Sequence, residues 1–181
     1  MARIRIDLEQ VLAAAVVIVD RGGLAELSLS SVALHLGVRP SALYTHVAGS
    51  DGLHYVVAVH ATTRLTSSVR NAAVGVAGRD ALLSMALAYR EYAVAHPGQY
   101  AATLVPPTDD HSELVRANAE LVALLAQVFA TLGCEHAQAQ AAAQALRTGL
   151  HGFVALEVTG AKGDDEQFAH LVDLLTHRLP A

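Results

Sequence analysis

Ten histidines stand out in the 181-residue sequence. An imidazole can hold a metal or pass a proton, but a metal pair on one helix needs i, i+3 or i, i+4 spacing. His54/His60 and His170/His177 lack that spacing. Cys134, the one cysteine, permits no intrachain disulfide and no four-cysteine zinc site. There is no glycine loop to cradle a phosphate, no G-x-S-x-G elbow and no zincin motif. The pairs Asp109-Asp110 and Asp164-Asp165 fall at expected helix starts, where carboxylates cap free amides and favour the helix dipole without any catalysis. The expectation is a protein that is not an enzyme and has neither a cofactor nor a metal.

A different chemistry is concentrated in Ser28-Leu-Ser-Ser-Val-Ala-Leu-His-Leu-Gly-Val-Arg-Pro-Ser-Ala-Leu-Tyr-Thr-His-Val47. The stretch reads as helix, tight glycine turn, helix. Ala33 is small enough for close helix approach, Gly37 permits the turn, and Val38 and Leu43 plug it against a core. The second helix, expected at about 40–46, then presents Arg39, Ser41, Ala42, Thr45 and His46 on its outer face. In a helix-turn-helix this second helix enters the major groove while the first crosses the backbone. An arginine can read guanine O6 and N7, and short hydroxyls can meet bases or phosphates. The bland reading of Arg39 is a solvated surface charge.

The flanking elements must hold this pair in place. Leu8, Val11, Leu12, Ala15 and Val19 form one face of a helix at about 7–21, capped by Asp7 and ended by Gly22-Gly23. Ser28 caps the next helix, and Pro40 sits in the first turn of the one after. Gly49-Ser50-Asp51 opens a long helix to about 72. Further helices are expected at about 79–95, 98–104, 109–132 (capped by Thr108 or Asp109), 135–159 and 165–178. Alanine, leucine and valine dominate, aromatics are 4%, and no strand pattern appears, so the expected fold is all-α.

No stretch of about 18 or more uncharged apolar residues appears, and no signal-peptide pattern is clear, which predicts a cytoplasmic chain away from membranes. The net charge is −5. Residues 1–50 balance four arginines against four acids, so the negative charge all lies in the later part. That split suggests two regions with different electrostatic tasks.

The segment around the turn resembles the TetR family of transcriptional regulators. The match runs through Ser28, Val32-Ala33, Gly37-Val38, Leu43-Tyr44, His46-Val47 and Leu53, in the family's order and spacing. Leu146-Arg-Thr-Gly-Leu-His-Gly-Phe-Val-Ala-Leu-Glu157, with the leucine-rich helix after Asp164, is similar to the family's WHG-type ligand domain. Leu150 stands where that signature has tryptophan.

The resemblance implies a helix-turn-helix DNA-binding domain at 1–50 and a helical ligand-binding and dimerisation domain at 51–181. It implies a homodimeric repressor on a palindromic double-stranded operator, released by a small, largely hydrophobic effector. Candidate DNA contacts are Ser28, Arg39, Pro40, Ser41, Ala42, Tyr44, Thr45 and His46. Tyr44 is expected to pack its ring between helices and aim its hydroxyl at a phosphate. Arg3 and Arg5 form either a basic arm or a merely disordered terminus. Candidate ligand-binding residues are Met85, Tyr89, Tyr92, Tyr100 and Phe129, each of which could equally be ordinary core. Leu146, Leu150, Phe153, Phe168, Leu171 and Leu175 are candidate dimer-interface residues, and His151 is expected to make a buried hydrogen bond. Ser50 and Asp51 depart from the family, which often carries a phosphate-meeting lysine at Ser50. That departure keeps open a ligand-binding or protein-interaction module that has lost DNA binding.

Overall fold

The computed structural model describes residues 6–106, 112–160 and 163–176. Arg3, Arg5, Thr108, Asp109, Asp110 and His177 lie outside the described residues. Among those described, every regular element is a helix. The α-helices are α1 (Leu8–Gly22), α2 (Leu29–Leu36), α3 (Gly49–Ala72), α4 (Gly78–Ala95), α5 (Pro97–Ala102), α6 (Ser112–Thr131), α7 (His136–Val158) and α8 (Asp165–Thr176). Short 3-10 turns occupy Leu24–Glu26 and Pro40–Thr45.

Local sequence explains most of the boundaries. Asp7 accepts a hydrogen bond from the Gln10 amide at 2.8 Å and the Gln10 side chain accepts one from the Asp7 amide at 3.1 Å, a reciprocal cap that starts α1. Glu135 and Gln138 do the same for α7. Asp164 accepts from the Gln167 amide at 2.7 Å and caps α8, as its position in the sequence suggests. α6 is long and apolar enough to cross a membrane by length and composition, which the charge pattern does not anticipate. Its Leu114, Ala117, Leu121, Leu125 and Phe129 are buried along one side, while Glu113, Arg116, Glu120 and Gln127 are exposed. That is the pattern of a helix laid on a protein core.

The chain forms two compact units. One holds the described residues up to Thr63 together with those from His96 to Leu114, and the other holds Arg64 to Ala95 and those from Val115 on. The units therefore do not meet at residue 50: α3 is divided, and α5 joins the N-terminal helices. The reason is local. A Cβ at Gly98 would lie 1.8 Å from the Val19 carbonyl oxygen, so only glycine lets α5 seat on the end of α1. The Gln99 amide nitrogen donates to both Asp20 carboxylate oxygens at 2.9 and 3.1 Å, and His96 Nδ1 lies 3.6 Å from Asp20. The first unit's core joins Val11, Ala15 and Val19 to Val32, Leu43, Val47, Leu53 and Val57, with Ala102 from α5.

The second unit is fastened by Arg90 on α4. Its Nε and Nη2 donate to the two Glu157 oxygens at 2.8 and 2.6 Å, and Nη1 donates to Asp165 at 2.7 Å. Its guanidinium carbon stands 5.5 Å from the Phe153 ring centroid and 5.0 Å from that of Phe168. The two rings meet edge to face at 5.1 Å. One side chain thus joins α4, α7 and α8. The hydrogen bond to Glu157, more than any other contact, raises the Arg90 pKa above the already high arginine range.

Candidate nucleic-acid interface

Ser28 starts α2 with extended backbone, and its hydroxyl accepts from the Ser31 amide at 3.0 Å. Ser31 returns the favour, its Oγ accepting from the Ser28 amide at 3.0 Å. After the eight residues of α2 the helix closes on Gly37, whose φ of +67° places it in the left-handed region. The Gly37 amide donates to the Leu34 carbonyl at 3.2 Å and the Val38 amide to the Ala33 carbonyl at 3.0 Å. These two bonds form a Schellman stop, which reverses the chain over two residues.

Arg39 then enters the Pro40–Thr45 turn in extended conformation. Proline at the first position needs no hydrogen-bond partner for its missing amide hydrogen. Leu43 is fully buried and Val47 nearly so, which pins the turn from beneath. The opposite side is open: Arg39, Pro40, Ser41, Tyr44 and Thr45 are exposed, and Ala42, His46 and Ser28 are half-buried. The structure thus holds all eight expected DNA-contact residues in the first unit, seven of them in or next to this turn and Ser28 at the start of α2.

Two details differ from expectation. The second element is 3-10 rather than α-helical over its six residues between Arg39 and His46. Tyr44 does not pack between helices: it is 62% exposed. Leu43 already fills the position facing the core, and its neighbour is turned outward. Thr45 Oγ1 donates to the Ala42 carbonyl at 3.0 Å and the Ser28 hydroxyl serves the cap, so each has an intramolecular partner. His54 has its Nδ1 2.9 Å from the Ser50 carbonyl oxygen on the first turn of α3. Between Ser28 and His54, Arg39 is the sole arginine or lysine and Asp51 the sole acid, both exposed.

The expected ligand and dimer residues lie elsewhere. Met85, Tyr89, Tyr92 and Phe129 are buried in the second unit and Tyr100 in the first. An open cleft of about 350 Å³ in the second unit is instead lined by Arg70, Val74, Val76, Leu124 and Val128, among others. Arg70 is paired there with Glu120. Leu146, Leu150 and Phe168 are buried within the chain, and Phe153, Leu171 and Leu175 are half-buried. His151 is half-buried. On the same two helices Leu156 and Leu174 are 63% and 60% exposed. Among the described residues, no three His, Cys, Asp or Glu side chains are placed to share a metal ion.

Comparison with known proteins agrees with this geometry. Residues 82–179, more than half of the chain, match the family model of the tetracyclin repressor-like C-terminal domain. An uncharacterized HTH-type transcriptional regulator of Mycobacterium tuberculosis is 33% identical over 172 residues, covering 94% of this chain and 79% of its own length. The crystal structure of BioQ with its double-stranded DNA operator superposes with a TM-score of 0.73 at 25% identity, over 96% of this chain and all of the BioQ chain. The regulator FadR of Bacillus subtilis, solved with stearoyl-CoA, superposes with a TM-score of 0.75 at 13% identity, over 95% of this chain and 99% of that one. With a helix-turn-helix at one end, a repressor-type C-terminal domain at the other and a regulator one-third identical along nearly all of it, the chain belongs to the TetR family of transcriptional regulators.

Proposed function

We propose that the protein is a repressor that binds a palindromic operator as a homodimer and leaves it when a small, largely hydrophobic effector binds. The observation that carries this reading is the exposed turn at Arg39–Thr45, buried beneath through Leu43 and Val47 and open above. Residues 1–50 would read DNA, and 51–181 would take the effector and form the dimer. Arg39 would supply the base or phosphate contact that a guanidinium makes best, and Tyr44, free of the core, is available to a phosphate.

The dimer would use the outer faces of α7 and α8. Leu146, Leu150 and Phe168 serve the subunit's own core, so the exposed Leu156 and Leu174, with the half-buried Phe153, Leu171 and Leu175, would be left for a partner. Two-fold symmetry would set the recognition turns about 34–36 Å apart, or somewhat more. BioQ binds a DNA operator and FadR binds stearoyl-CoA. Those facts support an operator and a hydrophobic effector for this chain, which would work in the cytoplasm where the DNA lies. The effector would sit among Met85, Tyr89, Tyr92 and Phe129 of the second unit. It would need a differential affinity of about 1–3 kcal/mol between the DNA-competent and released states.

Selection of genomic fragments by the purified protein at two salt concentrations tests this. An enriched palindrome whose binding weakens steeply with salt supports the reading. No enriched fragment at either salt removes it, and a binding module without DNA affinity takes its place, in line with the exposed Ser50 and Asp51.

A further inference from the structure

The outer side of α4 carries an apolar stripe that its own subunit leaves open: Leu83, Leu87 and Val94 are 36%, 40% and 50% exposed. Spacings of four and seven residues place them on one face of the helix. A cleft of about 580 Å³ lies over Leu87 and Val94 of this stripe, lined also by Arg90, Glu91, Glu157 and Asp165. That is the size of a small-molecule site. Its walls hold one cation against three carboxylates. The cation is engaged: Arg90 gives its Nε and Nη2 to Glu157 and its Nη1 to Asp165. Glu91 is exposed on the same face of α4, and the Asp165 side chain is 95% exposed at the start of α8. The cleft therefore offers an apolar floor and an excess of negative charge at the rim, with no uncommitted guanidinium to receive an anion.

We propose that this cleft binds a small amphiphilic cation, its apolar body on Leu87 and Val94 and its charge facing Glu91 and Asp165. The site lies wholly in the second unit, apart from the DNA-reading turn and from the interior aromatic residues, and it depends on neither.

Isothermal titration of the full chain with tetraphenylphosphonium and with tetraphenylborate tests the charge preference, because the two ions share one apolar shell and differ in sign. The expected result is saturable binding of the phosphonium, with the borate at least about tenfold weaker. Removing one partly screened charge contact in Glu91→Gln should weaken the phosphonium about fivefold. Leu87→Ser should weaken it to a similar degree by removing apolar contact. Both positions are exposed, so the circular dichroism of either variant should match that of the parent. Equal binding of both ions, no saturable phosphonium binding, or parent-like binding by both variants would each overturn the assignment.

Discussion

Arg90→Met tests whether one side chain fastens α4 to α7 and α8. Methionine keeps most of the apolar stem and removes the guanidinium. Glu157 is then left with a 19% exposed side chain and without its two hydrogen bonds, while the rings of Phe153 and Phe168 lose the cation above them. Breaking a fully buried ion pair costs about 3–5 kcal/mol. This fork opens to solvent at Asp165, so the lower part of that range applies to the pair, and the ring contacts add about 0.5–1 kcal/mol. The sum is about 3.5–4 kcal/mol, or a fall in Tm of about 7–16 °C for a chain of this length. Glu157→Gln should cost about 1–2 kcal/mol, since Asp165 and the rings still hold Arg90. The double variant should cost about 1–2 kcal/mol less than the sum of the single ones, because both remove the same bonds. Urea denaturation followed by circular dichroism at one fixed protein concentration measures all four corners of the cycle. An Arg90→Met variant within about 0.5 kcal/mol of the parent, or strict additivity, would refute the reasoning. The pH response has a defined sign. A cation whose pKa is raised on folding contributes stability that is complete below its unfolded pKa and lost only above it. Arg90 should therefore contribute no slope to stability between about pH 7 and 10.

Two glycines should fail for different reasons. Gly98→Ala forces a Cβ onto the Val19 carbonyl and should cost about 3 kcal/mol or shift α5 off α1, whereas Gly37→Ala meets no atom within 4 Å and should cost about 1 kcal/mol for its left-handed backbone alone; urea unfolding separates the two. Arg39→Ala should weaken operator binding by about 1–3 kcal/mol and relax one base position if the side chain reads a base. If it meets a phosphate instead, the salt slope should fall by about one with the sequence preference intact, and fluorescence anisotropy against selected and scrambled duplexes distinguishes the cases. Leu156→Glu combined with Leu174→Glu should convert a dimer to monomers without loss of helicity, since both side chains are exposed in the subunit; light scattering that still shows a dimer would place the interface elsewhere.

Much of this protein is legible along the chain because its signals are short-range. The Asp7–Gln10 and Ser28–Ser31 caps, the left-handed Gly37 and Pro40 at the opening of the turn each act within about four residues, so they mark helix ends without knowledge of the fold. The same locality made the turn and its outward residues readable, apart from Tyr44 and from Ala42, which packs against the core. Whether that ring packs or stands in solvent depended on how completely Leu43 filled the space beneath.

What tertiary structure alone decided is spread over long sequence separations. Arg90 meets partners 67 and 75 residues downstream, and Gln99 reaches back 79 residues to Asp20. Neither pairing leaves a periodic trace, because each needs two helices brought together by burial elsewhere. The leucines of α7 and α8 show the same limit. Helical spacing puts them on stripes, but only the packing of those helices determined that Leu146, Leu150 and Phe168 face inward while Leu156 and Leu174 remain exposed. Periodicity gives a residue's angle around its own helix, and burial depends on what the rest of the chain lays against that angle.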